Sequence, residues 1–237
     1  MAPHVPAPAV PVLEPRPTLA ITGSTARFPV RRAFCIGRNY AAHAIEMGFD
    51  PDREPPFFFM KTADAIFAVE AGETAALPYP SETSDYHHEA ELVVALASGG
   101  KNIPIEDAMR HVFGYAAGLD MTRRDLQGEA KKLGRPWEIG KSADASGPVG
   151  PITPISEAFS LKGGIRLSVD GTVRQNSTMA AMIWSIPEQI AILSKFFELK
   201  AGDLIFTGTP EGVAAVTRGQ VMHLEIDGVT PITLKIV

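Results

Sequence analysis

The chain has 237 residues, of which 45% are apolar and 21% charged, a composition typical of a globular protein rather than a disordered or fibrous one. No segment approaches the roughly 18 consecutive apolar residues needed to cross a membrane. The net charge of −5 excludes the overall basic field that would bind a nucleic-acid backbone, and the single cysteine, Cys35, excludes an internal disulfide and fits a reducing cytoplasm.

The N-terminus is rich in proline, with six prolines among residues 1–17. This segment lacks the basic start and apolar centre of a signal peptide, so we expect a flexible arm outside the fold. Short apolar runs around a glycine–serine turn predict a small N-terminal hairpin region over residues 18–32. The main domain is expected to cover residues 33–237.

Beyond this region, the apolar pattern predicts many short strands and a few helices. The expected strands cover residues 89–96, 113–119, 204–206, 221–226 and 232–237. A short helix or mobile loop is expected over 39–47 and a helix over 105–112. Two capping-box patterns, Thr122 with Asp125 and Ser185 with Glu188, predict helix starts, and the first of these helices should end near Gly134. Together these elements predict a strand-dominated α+β fold.

Three carboxylates are the strongest chemical signal in the sequence. Glu89 and Glu91 begin a predicted strand and point to the same face, because side chains alternate with a period of two. Asp120 ends the next long strand, and three converging carboxylates repel one another unless a cation compensates them. We therefore predict a divalent metal site, with Mg²⁺ first and Mn²⁺ or Ca²⁺ as alternatives. The adjacent His87 and His88 face opposite ways on a strand, and we do not expect them to be ligands.

A second candidate constellation is His43 with Glu46, three residues apart and so on one face of a helical turn. The carboxylate could orient the imidazole and raise its basicity, which would let His43 take a proton from water. Spacing alone favours an incidental surface pair, however, because such pairs are common on exposed helices. The catalytic interpretation therefore needs support from other residues.

Two further groups of residues, one polar and one aromatic, differ in their expected relation to the site. Arg124 and Gln127 lie one helical turn apart just after Asp120, so they can face the same ligand. The two tryptophans, Trp137 and Trp184, and the phenylalanines at 57–59 are predicted to belong to the core or to an interface rather than to the site.

Five segments, in the same order along the chain, resemble the fumarylacetoacetate hydrolase family, in its short acylpyruvate-hydrolase branch. The resemblance covers about residues 33–213 and rests on Ile36-Gly37-Arg38-Asn39-Tyr40, His88-Glu89-Ala90-Glu91-Leu92, Gly114-Tyr115 with Asp120-Met121-Thr122-Arg123-Arg124-Asp125, Lys141-Ser142, and Phe206-Thr207-Gly208-Thr209-Pro210. Any one segment is weak evidence, but five in order are specific. The resemblance implies a β-sheet roll with peripheral helices, usually found as a homodimer.

The resemblance also implies roles for the candidate residues. It assigns Mg²⁺ or Mn²⁺ to the carboxylates of Glu89, Glu91 and Asp120. It assigns His43 and Glu46 to water activation. It assigns substrate binding to four residues: Lys141, Arg124, Gln127 and Thr209. Lys141 is also implied to be a catalytic donor. Because the net charge is negative, a local cationic site is needed for an anionic substrate, and we expect Arg38 to join it.

The implied reaction is a metal-dependent hydrolysis of a carbon–carbon bond in a small anionic 2,4-dioxo acid. The most specific expectation is fumarylpyruvate plus water giving fumarate and pyruvate. The same site would also suit an oxaloacetate decarboxylase or an isomerase of an aromatic-degradation intermediate. A third alternative, a non-catalytic metal-stabilised binding domain, leaves Lys141 and the His43–Glu46 pair without a role.

Overall fold

The computed structural model describes residues 15–46, 55–156 and 159–237, apart from the side chains of Ala44 and Glu46. Most of the predicted N-terminal arm, residues 1–14, lies outside the described residues. Within them, the helices are α1 (Ala41–Glu46), α2 (Ile105–Ala108), α3 (Arg124–Lys132), α4 (Glu138–Lys141) and α5 (Ile186–Phe196), with 3₁₀ turns at Ala63–Ala65, Met109–His111 and Met179–Ala181. In this described part, no helix is long and apolar enough to span a membrane.

Strands dominate the described chain. They are β1 (Thr18–Ala20), β2 (Arg27–Pro29), β3 (Arg32–Gly37), β4 (Phe57–Lys61), β5 (Ile66–Ala68), β6 (Thr74–Leu77), β7 (Tyr86–His88), β8 (Ala90–Leu96), β9 (Val112–Leu119), β10 (Thr122–Arg123), β11 (Gly147–Val149), β12 (Thr153–Pro154), β13 (Gly164–Val169), β14 (Thr172–Thr178), β15 (Asp203–Phe206), β16 (Ala214–Val216), β17 (Val221–Ile226) and β18 (Ile232–Ile236). This confirms the strand-dominated α+β fold.

The strands form one large sheet and three smaller ones. The large sheet has the order β4-β3-β15-β8-β9-β11-β5, with β12 paired to β9, and the second sheet has the order β14-β13-β17-β18-β6. Strand β7 lies between β10 and β16, and β1 and β2 form the antiparallel N-terminal hairpin. One hydrophobic cluster joins the two larger sheets, with Leu92 and Val94 of β8 packed with Leu224 and Leu234. The two larger sheets therefore share this cluster as their common core.

Strand β8 shows the alternation that the sequence predicts. Val93 and Ala95, on the face of Glu91, pack in a second cluster with Leu19 and Phe28 of the hairpin, on the face opposite the main cluster. β8 and β9 pair antiparallel, and the Asp120 amide donates to the Glu89 carbonyl at 2.9 Å. The register therefore brings the ends of two buried strands, and their acidic residues, to the same point.

Two of the sequence predictions for helices were wrong. Thr122 does not cap a helix, because its backbone pairs with His87 of β7 and α3 begins only at Arg124. Asp125 instead accepts hydrogen bonds from Thr83 Oγ1 and Ser84 N.

The helix predicted over 105–112 is only the single turn α2 and a 3₁₀ turn, since β9 already begins at Val112. The start of α5 is as predicted. It begins at Ile186, and Ser185 N donates to Glu188 Oε2 at 2.9 Å.

Two loops that follow strands of the large sheet are packed against each other. Asn39, after β3, is fully buried and donates from Nδ2 to the carbonyls of Thr207 (2.7 Å) and Trp184 (3.0 Å). Gly208, after β15, has φ +100°, and a Cβ there would lie 2.5 Å from the Asn39 Cβ. Only glycine suits both this backbone and this contact. The glycine in the Gly208-Thr209-Pro210 motif therefore allows the loop after β15 to lie against the loop that leads into α1.

Candidate metal centre and active site

Three buried carboxylates meet at the ends of β8 and β9. One oxygen from each of Glu89, Glu91 and Asp120 lies within 4.8 Å of the other two. Only 5%, 2% and 1% of these three residues is exposed to solvent. Three anions in such a place must be compensated by cations, because water cannot screen them.

Two buried lysines hold the Asp120 carboxylate from opposite sides. Lys141 Nζ lies 2.8 Å from Asp120 Oδ2, and Lys61 Nζ lies 2.9 Å from Asp120 Oδ1. Lys61 also donates to Ser146 Oγ at 3.0 Å and to the backbone carbonyl of Lys141. The Lys61 ammonium thus connects the acidic centre to the end of α4, which carries Lys141.

Glu89 is also paired through both of its oxygens. Lys141 Nζ donates to Oε2 at 2.7 Å, and Arg124 donates to Oε1 at 2.5 Å. Burial by itself would raise the pKa of Glu89, but the charges of Lys141 and Arg124 outweigh burial and hold that pKa below its usual range. Burial likewise acts to lower the pKa of Lys141, and Asp120 and Glu89 raise it instead. Glu89 is therefore a carboxylate and Lys141 an ammonium.

Glu91 is placed differently from the other two acids. Its Oε2 accepts a hydrogen bond from the Gly208 amide at 2.7 Å. Burial, together with the charges of Asp120 and Glu89, raises the pKa of Glu91 well above its usual range. A cation bound among the three acids would remove this repulsion, and carboxylate oxygens have spare lone pairs for it. An oxygen-only donor set fits a hard divalent ion rather than zinc.

A cavity opens over the carboxylates. Every predicted site residue whose side chain is described lines this cavity: Arg38, His43, Glu89, Glu91, Asp120, Arg124, Gln127, Lys141 and Thr209. Arg124 Nη1 donates to Gln127 Oε1 at 2.7 Å, in accord with their spacing on α3. Glu46 belongs to α1, but its side chain lies outside the described residues, so the His43–Glu46 pair stays a prediction.

The hydroxyl of Thr209 is oriented by Gln175, a fully buried residue of β14 that the sequence analysis missed. Gln175 Oε1 accepts from the Ala90 amide (3.0 Å), and its Nε2 donates to the Pro210 carbonyl (2.9 Å) and to Thr209 Oγ1 (2.8 Å). Because Thr209 Oγ1 accepts this bond, its own hydrogen is available to a ligand oxygen. His88 contacts Gln175 as well, with 3.0 Å between His88 Nδ1 and Gln175 Oε1, and burial lowers the pKa of His88 to about 4.

Aromatic side chains form part of the cavity wall, which corrects one prediction. Phe57, Phe59 and Trp137 line the cavity instead of belonging only to the core or an interface. The ring centroid of Trp137 lies 5.5 Å from that of Phe57 and 5.8 Å from that of Phe59. The period of two along β4 puts Lys61 on the same face as these phenylalanines, and this pattern could have indicated that Lys61 points toward the site.

Comparison with known proteins agrees with the geometry. The family model "Fumarylacetoacetate (FAA) hydrolase C-terminal" matches residues 32–237. Fumarylpyruvate hydrolase from Ralstonia sp is 42% identical over 187 residues, which cover 79% of this chain and 95% of that protein. An oxaloacetate tautomerase from Escherichia coli (strain K12) is 38% identical over 208 residues, covering 87% and 93%.

A solved structure is also very similar to this chain. The crystal structure of fumarylpyruvate hydrolase from Pseudomonas aeruginosa in complex with Mn²⁺ and pyruvate has a TM-score of 0.92 and 55% identity, and 99% of each chain is covered. The chain therefore belongs to the fumarylacetoacetate hydrolase family, as the resemblance implied, and it is an enzyme, a hydrolase that acts on carbon–carbon bonds. The acidic triad and the Mn²⁺ of this relative together support a divalent metal site.

Removing the Lys61 ammonium should leave Asp120 undercompensated in the interior. We expect Lys61→Met to lower the free energy of unfolding by about 3 kcal/mol, the lower end of the range for breaking a buried ion pair, because Lys141 still faces Asp120. Urea unfolding in the presence of a chelator measures this loss. Lys101→Met, at an exposed lysine, is the control and should change little. Equal stability of the two variants would contradict the structural role of Lys61.

Proposed function

We propose that this chain hydrolyses fumarylpyruvate to fumarate and pyruvate. The observation that carries the proposal is the buried triad of Glu89, Glu91 and Asp120 opening into a cavity that His43 and Lys141 also line. The extensive similarity to fumarylpyruvate hydrolases of two bacteria supports this choice of substrate. A 2,4-dioxo acid suits such a site because it carries a carboxylate and an α-keto oxygen at one end, and both are ligands for a hard metal ion.

We propose Mg²⁺ as the ion, held by Glu89, Glu91 and Asp120, with Mn²⁺ or Ca²⁺ as alternatives. The donor set supports a hard ion, and Mg²⁺ is the usual choice for such oxygen ligands. When bound, the ion would act as a Lewis acid that holds the α-keto acid and stabilises enolate charge. The remaining work of catalysis falls to side chains of the chain itself.

His43 is proposed as the base that takes a proton from water, with Glu46 orienting its imidazole. The oxygen of that water attacks the C4 carbonyl carbon of the substrate. Lys141, held as an ammonium by Asp120 and Glu89, would neutralise the charge that develops on the C4 oxygen. The bond between C3 and C4 then breaks, C4 becomes the carboxyl carbon of fumarate, and C3 takes up a proton to give pyruvate.

Binding of the substrate is assigned to the polar side chains around these groups. Thr209 can donate its hydroxyl hydrogen to a substrate oxygen, because the hydroxyl oxygen already accepts a hydrogen bond from Gln175 Nε2. Gln127 and Arg124 lie side by side on α3, and Arg38 adds a further cation whose guanidinium lies 5.1 Å from the Phe57 ring centroid. These residues would hold an anionic substrate despite the net charge of −5.

Three features of the protein's setting are also proposals. We expect a cytoplasmic protein, since Cys35 is buried and unpaired by any disulfide within the described chain. A homodimer is expected from the family resemblance. No nucleic-acid partner is expected at a net charge of −5.

An alternative function is tautomerisation or decarboxylation of oxaloacetate, which the similarity to an oxaloacetate tautomerase favours. Both reactions also pass through enolate charge next to a metal. Neither requires water to attack a carbonyl, so neither needs a water-activating base. The presence of His43 in the cavity favours hydrolysis.

A product assay in ¹⁸O-labelled water distinguishes these functions. With fumarylpyruvate and Mg²⁺, we expect fumarate and pyruvate in equal amounts, with one ¹⁸O in the fumarate carboxyl group that forms from C4. Oxaloacetate under matched metal concentration and pH should show a lower kcat/KM. A higher kcat/KM for oxaloacetate, or consumption of fumarylpyruvate without cleavage, would reject the proposed function.

Loss of the imidazole should affect hydrolysis specifically. We expect His43→Ala to lower kcat for fumarylpyruvate by about 10²–10⁴-fold, the usual contribution of a general base, with Mn²⁺ binding nearly intact. If the protein also decarboxylates oxaloacetate, kcat for that reaction should fall less than kcat for hydrolysis. His223→Ala, at a partly exposed histidine of β17, is the control. Loss of Mn²⁺ would identify His43 as a ligand, and equal losses in both reactions would identify a positioning role.

A further inference from the structure

Helix α3 presents a row of polar side chains to the cavity. Arg124, Gln127 and Lys131 occupy positions i, i+3 and i+7 and so lie along one face, and all three line the cavity. At 1.5 Å of rise per residue, Lys131 lies roughly 10 Å along the helix axis from Arg124. Because Arg124 is paired with Glu89, Lys131 lies about two helical turns further along α3 than the residue that contacts the acidic triad.

Lys131 differs from the inner cations in its partners. Lys141 and Arg124 are both bound to Glu89, and Lys141 is also bound to Asp120. The half-buried Lys131 makes no hydrogen bond or ion pair with another described residue, and its ammonium lies 5.0 Å from the ring centroid of Trp137. It is therefore a cation of the cavity wall that lacks an anionic partner within the described chain.

The electrostatic surroundings of Lys131 favour an incoming anion. Burial, together with the nearby charges of Arg124, Arg38 and Lys141, lowers the pKa of Lys131 to about 8, although Glu89 acts in the opposite direction. A half-buried cation among other cations is unfavourable until an anion pairs with it. A carboxylate at this end of the cavity would provide that anion.

We propose that Lys131 binds the distal carboxylate of the substrate and so selects a dicarboxylate over a neutral acyl group. This inference rests on the proposed function, in which the α-keto acid end of the substrate lies at the acidic triad. The fumaryl group then extends along α3, with its planar alkene against the cavity wall that Phe57, Phe59 and Trp137 form. Its carboxylate reaches the outer end of the helix, where Lys131 lies.

The test compares two substrates that differ at the distal end. Acetylpyruvate has the same dioxo acid as fumarylpyruvate but lacks the second carboxylate. We expect Lys131→Met to lower kcat/KM for fumarylpyruvate by about 10- to 150-fold, the usual loss for a hydrogen bond to a charged group. The kcat/KM of this variant for acetylpyruvate should stay within about twofold of the wild-type value. Lys131→Arg should restore part of the loss. Lys132→Met, at the exposed neighbour on α3, is the matched control and should affect neither substrate.

A binding measurement separates this inference from the proposed function. Calorimetry should show that the wild-type protein binds fumarate more tightly than crotonate, in which a methyl group replaces one carboxylate, and that Lys131→Met removes this difference. If the difference disappears although wild-type protein does not cleave fumarylpyruvate, the inference stands and the proposed function fails. The inference is wrong if fumarylpyruvate is cleaved but Lys131→Met leaves the ratio of kcat/KM for fumarylpyruvate to kcat/KM for acetylpyruvate unchanged. An equal fall in kcat/KM for both substrates is one such result.

Discussion

Repulsion among three buried carboxylates is the constraint on which the rest of the site depends. At 4.8 Å, two like charges repel by about 3–4 kcal/mol at an effective dielectric constant of ~20, and Glu89, Glu91 and Asp120 form three such pairs. The buried cations Lys61 and Lys141 and the partly buried Arg124 offset this cost. Glu91 shows that the compensation is incomplete, since its pKa is still raised. The three cations are paired with Asp120 and Glu89, and a divalent cation among the carboxylates would place positive charge beside Glu91 as well.

The fold meets this constraint by bringing together residues that are far apart in the sequence. The antiparallel pairing of β8 and β9 sets Asp120 beside Glu89. Edge strand β4 brings in Lys61, and α4 brings in Lys141. The loop after β15 contributes the Gly208 amide to Glu91 and, one residue later, the hydroxyl of Thr209 to the cavity. The inner part of the site is therefore rigidly held by sheet register and paired charges.

The sequence could predict those parts of the site that depend on local geometry. A period of two puts Glu89 and Glu91 on one face, and a helical turn puts Arg124 beside Gln127. Family motifs supplied His43, Lys141 and Thr209, and all of these residues line the same cavity.

Features that depend on distant partners could not be predicted. The period of two indicates the face of β4 on which Lys61 lies, but it does not indicate that Lys61 is buried, because its hydrogen-bond acceptors lie 60 to 85 residues further along the chain. The helix cap expected at Thr122 failed for a similar reason, because pairing between β10 and β7 takes precedence over a local capping pattern. Lys131 and Trp137 become site residues only when α3 and β4 are packed around the same cavity.

Mn²⁺ binding to the chelator-treated protein tests the central claim most directly. Wild type and Glu129→Gln, at an exposed acid of α3, should each bind one Mn²⁺ per chain, seen by electron paramagnetic resonance, and the ion should raise Tm. Glu91→Gln removes one charge from the triad without changing its shape. With chelator present, the Tm of Glu91→Gln should equal or exceed that of wild type. The variant should nevertheless lose most of the Mn²⁺ binding and most of the rise in Tm that Mn²⁺ causes in wild type. Undiminished Mn²⁺ binding by Glu91→Gln would contradict a metal site built from these three carboxylates.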